Sequence, residues 1–301
     1  MSWWRRFLPR GVFWRQMARF GALCLPVWME PVVMAFWSGF FLMWGAGRRG
    51  VMRNLAAIKP RSWAFVNFFR AYRVFWNFGW TMTDNMRFKE LRIIPDWEFV
   101  GLDHFEKLQS EPGGAIILTA HMGSYDLAAQ LFSELTGRRM YMVRAPEIDP
   151  QTQEFEQQQE GRTGSDGLTV EFNTKSSDLA LDLLEAIQRG ELVAIQGDRV
   201  TPGIATFPAQ LFSKPVQIPS GPFALALAAR VPIYPLFVIR AGRRRYRLQT
   251  CEPIVVLRTR ARRDDDLRDA VAAWTKHLET VIEAGWYQWF MFEPYSKELP
   301  A

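Results

Sequence analysis

Apolar residues follow one rhythm before residue 96 and another after it. Upstream they come in long, aromatic-rich runs. The stretch "GALCLPVWMEPVVMAFWSGFFLMWGAG" holds 16 residues from Val32 to Gly47 without a charge, short of the roughly 20 that a helix needs to span hydrocarbon. Glu30 and Pro31 interrupt any longer run, and arginines flank both ends, at 15 and 19 before it and at 48, 49 and 53 after it. A spanning helix concentrates such charge on its cytoplasmic side. The pattern therefore predicts a segment that dips into one leaflet and returns, with a single tilted span as the alternative. Residues 62–80, "SWAFVNFFRAYRVFWNFGW", place aromatics at helical spacing, which predicts a core helix and leaves open an extension of the membrane-facing surface.

Downstream, short apolar runs alternate with helical periodicities. Strands are predicted at "WEFVG", "AIILTA", "RMYMVRA", "ELVAI", "PIYPLFVIR" and "RRYRLQT", with a turn at Ala241-Gly242 between the last two. Helices are predicted at "LDHFEKLQSEPGG", "DLAAQLFSEL", "DLALDLLEAIQR" and "PFALALAAR", and residues 150–167 read as a polar stretch. The final helix opens on the aspartates of "DDDLRDAV", where the helix dipole favours negative charge, and Leu267, Val271, Trp274, Leu278 and Ile282 continue its apolar face. Cap residues and glycine stops agree at these boundaries. The alternation predicts an α/β fold with a mixed, largely parallel central sheet flanked by helices. The chain divides into a basic, hydrophobic, membrane-associated segment at 1–55 and the α/β domain at 56–301.

Composition and charge sharpen this picture. A hydrophobic fraction of 49% with 23% charged residues belongs to a folded chain. The first 20 residues carry five arginines and no acidic residue, interleaved with Trp and Phe, as in a basic amphipathic helix lying on an anionic surface. The net charge of +6 favours acidic partners. Cys24 and Cys251 stand alone, with neither CxxC nor a Cys/His cluster, so no disulfide framework or zinc site is indicated and a reducing compartment is expected. No GxGxxG or P-loop pattern supports a nucleotide cofactor.

In such sheets ligands collect at the carboxyl ends of the strands. Three polar blocks, "HMGSYD", "VRAPEID" and "QGDRV", fall there and would share one sheet edge. In the first, His121 is the side chain suited to exchanging a proton near neutral pH. A carboxylate on its other ring nitrogen would fix the tautomer, and Asp126 is the candidate. Five residues along a helix would diverge by about 500°, so the two meet only if His121 lies in the turn and Asp126 in the first helical turn. Alone, HxxxxD also fits an ordinary hydrogen-bonded histidine. Ser124 raises a serine hydrolase as a rival, but no GxSxG elbow is present. His104 and His277 are assigned structural places.

Taken together, "HMGSYD", "MYMVR", "GDR" and "VPIYPLFV", with "WEFVGLDHFEKL" upstream and "GWYQWFMFEPY" at the end, resemble the lysophospholipid acyltransferase superfamily. The resemblance is closest to its lipid A biosynthesis (lauroyl/myristoyl) branch and covers residues 20–295. "IQGDRV" departs from the FPEGTR-like block of the glycerolipid branch, which counts against glycerol-3-phosphate as acceptor. The resemblance implies acyl transfer from a thioester to a lipid hydroxyl, with His121 as general base and Asp126 orienting it. It implies that Arg144 and Arg199 contact phosphate or the developing oxyanion, with Asp198 orienting Arg199. It also implies no separate cofactor, the acyl group arriving on phosphopantetheine.

The basic cluster "RAGRRRYR" (240–247) and the arginines at 258, 260, 262 and 263 suit an acidic acyl carrier protein or lipid head groups. No nucleic-acid module is seen. The expectation is an acyl-carrier-protein-dependent acyltransferase, monomeric, on the cytoplasmic face of a bacterial inner membrane, acting on a lipid A precursor or another glycolipid. The alternatives are coenzyme A as donor, a phospholipid acceptor, or a non-catalytic lipid-binding relative, against which the presence of both His121 and Asp126 argues.

Overall fold

The structure, a computed structural model, describes residues 12–44, 47–145, 154, 167–173, 177–201, 203–258 and 263–299. The basic segment at 1–11, most of the polar stretch at 150–167, and Arg260 and Arg262 lie outside the described residues. The chain begins with helices α1 (Val12–Cys24), α2 (Glu30–Trp44), α3 (Gly47–Ile58) and α4 (Ala64–Leu91). Strand and helix then alternate as β1 (Asp96–Val100), α5 (Leu102–Ser110), β2 (Ala115–Thr119), α6 (Tyr125–Thr136), β3 (Met140–Arg144) and β4 (Leu168–Phe172). They continue as α7 (Ser177–Gln188), β5 (Leu192–Gln196), β6 (Thr206–Leu211), β7 (Lys214–Pro219), α8 (Gly221–Ala229), β8 (Ile233–Gly242), β9 (Arg245–Thr250) and α9 (Arg263–Gly285).

The main sheet has 7 strands in the order β1-β9-β8-β2-β5-β3-β4. Each neighbouring pair is parallel except β8 with β9, so the expected mixed, largely parallel sheet is present. The central strand explains the sequence pattern. All of β2, "AIILT", is buried, with Ile116 and Leu118 facing one helical layer and Ala115 and Ile117 the other. Two covered faces need a continuous apolar run instead of alternation. The first layer is α7, α8 and α9; the five predicted apolar positions of α9 are all buried there, and Trp274 stacks on Phe237 at 5.5 Å. The second layer is α5 and α6.

Three local readings of the sequence are corrected. The hairpin β6–β7 was not expected, because its two-residue turn is Phe212-Ser213, not the Asn-Gly pair that normally marks one. Both residues adopt positive φ, 49° and 58°. The edge strand β4 was hidden behind the polar stretch, and it pairs with β3 along its whole length. The turn between β8 and β9 is Arg243-Arg244, with φ 53° at Arg244, because β8 runs on through Gly242.

Among the described residues no helix is long and apolar enough to cross a membrane. The four N-terminal helices pack as one layer, and the boundary drawn at residue 55 falls inside α3. Glu30, which breaks the apolar run, is an internal partner: Arg87 of α4 donates to both of its oxygens, at 2.8 and 3.1 Å, and to the Ala22 carbonyl at 3.0 Å. The aromatic-rich α4 divides its side chains. Ala71, Val74, Phe75 and Trp80 are buried, whereas Phe65 and Phe69 are exposed.

Both members of the Glu30–Arg87 pair are almost fully buried. Removing one leaves an uncompensated charge, which costs about 3–5 kcal/mol. Glu30→Met should lower the unfolding free energy by that amount in urea titrations followed by Trp fluorescence. Glu30→Met with Arg87→Met should regain most of it.

Candidate active site

The site begins where β2 ends. His121 lies in the turn between β2 and α6, and Ser124 precedes the first helical residue, Tyr125. The turn depends on Gly123, at φ +53°, where a side chain would also collide with the Val238 carbonyl. Strand β5, hydrogen-bonded beside β2, ends on the matching turn "GDR". There the Gly197 N–H donates to the Thr119 carbonyl at 2.8 Å, and the Trp274 indole donates to the Gly197 carbonyl at 3.0 Å. These bonds aim Asp198 at His121.

Asp198 Oδ1 lies 2.7 Å from His121 Nδ1, and Oδ2 accepts the His121 backbone N–H at 3.0 Å. Trp289 donates its indole N–H to the same Oδ2 at 2.9 Å. Burial alone would push the Asp198 carboxyl up. The charge and hydrogen bond of His121, then Arg199 and Trp289, outweigh it and hold the group at about 2. An ionised carboxylate only accepts, so Nδ1 of His121 donates to it and Nε2 is the ring nitrogen turned away from Asp198.

Residues 286–293, which follow α9, run across the strand ends as a strap. Phe290 N–H donates to the His121 carbonyl at 2.8 Å, and Met122 bridges to Trp289. His121 is thus held by its N–H, its carbonyl and its ring. Trp289 and Phe290 were missed in the sequence, because "GWYQWFMFEPY" lies about 90 residues beyond Asp198 and nothing local marks an indole as a partner for a carboxylate.

The expected pairing of His121 with Asp126 is replaced. The predicted placement is present, with His121 in the turn and Asp126 in the first turn of α6. Asp126, however, accepts from Arg144 at 2.7 Å, and Nδ1 of His121 is bonded to Asp198. The Asp198 oxygens are hydrogen-bonded to His121 and Trp289, while the Arg199 guanidinium donates to the Phe290 carbonyl at 3.1 Å. The blocks containing His121, Arg144 and Asp198-Arg199 do converge, because β2, β5 and β3 are adjacent; residues 146–149 of the middle block lie outside the described residues. Ser124 is buried with its hydroxyl on Asn85 of α4, an arrangement unlike that of a nucleophile activated by His121.

Beneath the site, between α6 and strands β2, β3 and β5, lies a narrow apolar cavity. Ile117, Ala128, Phe132, Met142 and Ala194 are among its walls, with Thr119, Tyr125 and Gln196 toward the His121 end. Desolvation, then the charge of Asp126, pushes the Tyr125 phenol up to about 12, so it stays protonated. The basic hairpin is less available than its sequence suggests. Arg240 turns inward to Asp84 at 3.3 Å, Arg243 reaches Glu30 and Arg247 reaches Glu98.

The family model for bacterial lipid A biosynthesis acyltransferases matches residues 40–298, which takes in the strand-end turns and the strap together. The chain belongs to that family. It is therefore an acyltransferase, with a fold and strand-end geometry described above. A search of curated proteins found no match.

The depressed Asp198 carboxyl sets a pH dependence. A group held below its ordinary value of 3.8 adds stability above that value and loses it as pH falls toward 2. The contribution is about 2 kcal/mol. Between pH 5 and pH 2 the wild-type urea midpoint should fall more steeply than that of Asp198→Asn, by roughly this free energy.

Proposed function

We propose that this acyltransferase moves a fatty acyl group from a thioester to a hydroxyl of a lipid A precursor or another glycolipid, with His121 as general base and Asp198 as its orienting partner. The observation that carries this reading is the His121–Asp198 pair at the ends of two neighbouring strands, on a chain of this family. His121 Nε2 takes the proton of the acceptor hydroxyl as its oxygen attacks the thioester carbonyl. Collapse of the tetrahedral intermediate breaks the C–S bond, and the imidazolium returns the proton to sulfur. An ester and a thiol result, with no acyl-enzyme. Asp198 stabilises the imidazolium while it exists.

Arg199, one residue beyond Asp198 and partly exposed, supplies positive charge for a phosphate or for the oxyanion. Arg144 acts with Asp126 to fix the rim of the site. The donor is acyl carrier protein, attracted by exposed arginines such as Arg245 and Arg258, with coenzyme A thioester as the alternative.

We place the protein on the cytoplasmic face of a bacterial inner membrane. Exposed Trp28, Val32, Phe36, Trp63 and Phe69 lie on helices α2 and α4 or immediately before them, and a folded protein in water rarely leaves so many large apolar groups uncovered together. Arg48, Arg49 and Arg53 of α3 add charge that suits anionic lipid. High salt should leave much of the protein on membranes, and Phe36→Asp with Phe69→Asp should shift it to the supernatant in vesicle sedimentation.

For the chemistry, transfer from acyl carrier protein to extracted lipid, read by mass spectrometry, is the test. His121→Ala should abolish transfer while vesicle binding persists. Asp198→Asn should lower kcat by about 10³–10⁴, the scale seen when the carboxylate behind a catalytic histidine loses its charge. Asp126→Asn should cost about tenfold, since it breaks only a rim ion pair. The reverse order of the two aspartates would return the orienting role to Asp126, and transfer by His121→Ala would remove His121 as the base.

A further inference from the structure

The Asp198 carboxylate has two jobs, and the strap contributes to both. Its Oδ1 faces His121 Nδ1 at 2.7 Å, while Oδ2 is shared by the His121 backbone N–H and the indole of Trp289. Trp289 is 3% exposed and the Asp198 side chain is fully buried, so this indole hydrogen bond is made away from water. The strap cannot slide without moving His121, because Phe290 N–H holds its carbonyl and Trp289 bridges Met122. It is also fixed at its far side. Asn54 of α3 donates to the carbonyls of Met291 and Glu293, both at 2.9 Å, and accepts from the Tyr295 N–H.

We infer that Trp289 is a positioning residue, whose indole N–H sets the orientation and basicity of the Asp198 carboxylate and through it the proton-accepting strength of His121. The physical argument is a competition for one carboxylate. A neutral donor on Oδ2 withdraws charge that would otherwise strengthen the bond to the imidazole. Without it, Asp198 is a stronger acceptor, binds the imidazolium more tightly and is freer to rotate about its own side-chain axis. The ring then holds its proton to higher pH and presents Nε2 less constantly.

The kinetic arm of the test rests on the acyl-transfer reading, and the spectroscopic arm does not. Trp289→Phe removes the donor and keeps an aromatic ring. Replacement of Trp289 by benzothienylalanine removes only the N–H and keeps the bicyclic volume, which covers a failure of the phenylalanine variant to fold. In both, kcat should fall about tenfold, the scale of one hydrogen bond to a charged group, with KM within about twofold, an interaction felt in the transition state alone. The acid limb of the kcat profile should move to higher pH. In proton NMR of the purified protein, the low-field Nδ1–H resonance of the His121–Asp198 bond should move further downfield and disappear in His121→Ala.

A benzothienylalanine variant with wild-type kcat, pH profile and low-field resonance would overturn the proposal. A lowered kcat with the acid limb and the resonance unmoved would also overturn it, because packing alone would then account for the loss. If the wild-type protein transferred no acyl group but the resonance still moved, acyl transfer would fail as the function while the Trp289 inference stood.

Discussion

Burying the Asp198 carboxylate is the constraint on which the rest of the site depends. An ionised carboxylate taken out of water costs several kcal/mol unless donors replace its hydration. Here the donors come from two places distant in sequence, the turn after β2 and the strap near residue 289, while the carboxylate itself hangs from the turn after β5. No one segment can satisfy it. The sheet must place β5 beside β2, α9 must bring Trp274 under Gly197, and the chain must return across the strand ends. Once those are in place, the same donors leave His121 with one tautomer and one orientation. The same three hydrogen bonds satisfy the carboxylate and hold the imidazole.

The N-terminal helices are built into this arrangement through buried polar contacts. Arg87 ties α1, α2 and α4 together through Ala22 and Glu30, and Asp84 of α4 meets Tyr246 at 2.8 Å and Arg240. Asn85 of α4 holds Ser124 at the start of α6. On the other side, α3 carries Gly50 where any side chain would strike the Phe292 backbone, so the strap closes directly onto that helix. The layer with the exposed aromatics therefore touches both the turn after His121 and the strap that holds Asp198.

Much of the fold was legible because two-sided burial leaves a plain record. Runs such as "AIILT" and the heptad-like face of α9 report directly which positions avoid water. Glu30 illustrates what such a record omits. In the sequence it is a break in an apolar run, and only the distance to Arg87, 57 residues on, turns it into an anchor. The Phe212-Ser213 turn was invisible for a related reason, since its positive φ values are imposed by the pairing of β6 with β7 and not by a residue that prefers them. The convergence of three strand-end blocks was correctly expected from topology. Which carboxylate reaches the histidine was not, because that is a matter of ångströms between two candidates on the same sheet edge.

The spacing of His121 and Asp126 therefore has a different physical basis from a direct bond. Five residues place the histidine in the turn and the aspartate in the first turn of α6, where the helix dipole already favours a negative charge. From there Asp126 reaches across to Arg144 at the end of β3 and ties the start of α6 to the neighbouring strand end. Asp198, one strand nearer in the hydrogen-bonded order, reaches the imidazole instead. Two carboxylates on one histidine would repel each other, and the arginine draws one of them off. The local stretch places Asp126 on Arg144, and the partner of the His121 ring is supplied from 77 residues further along the chain.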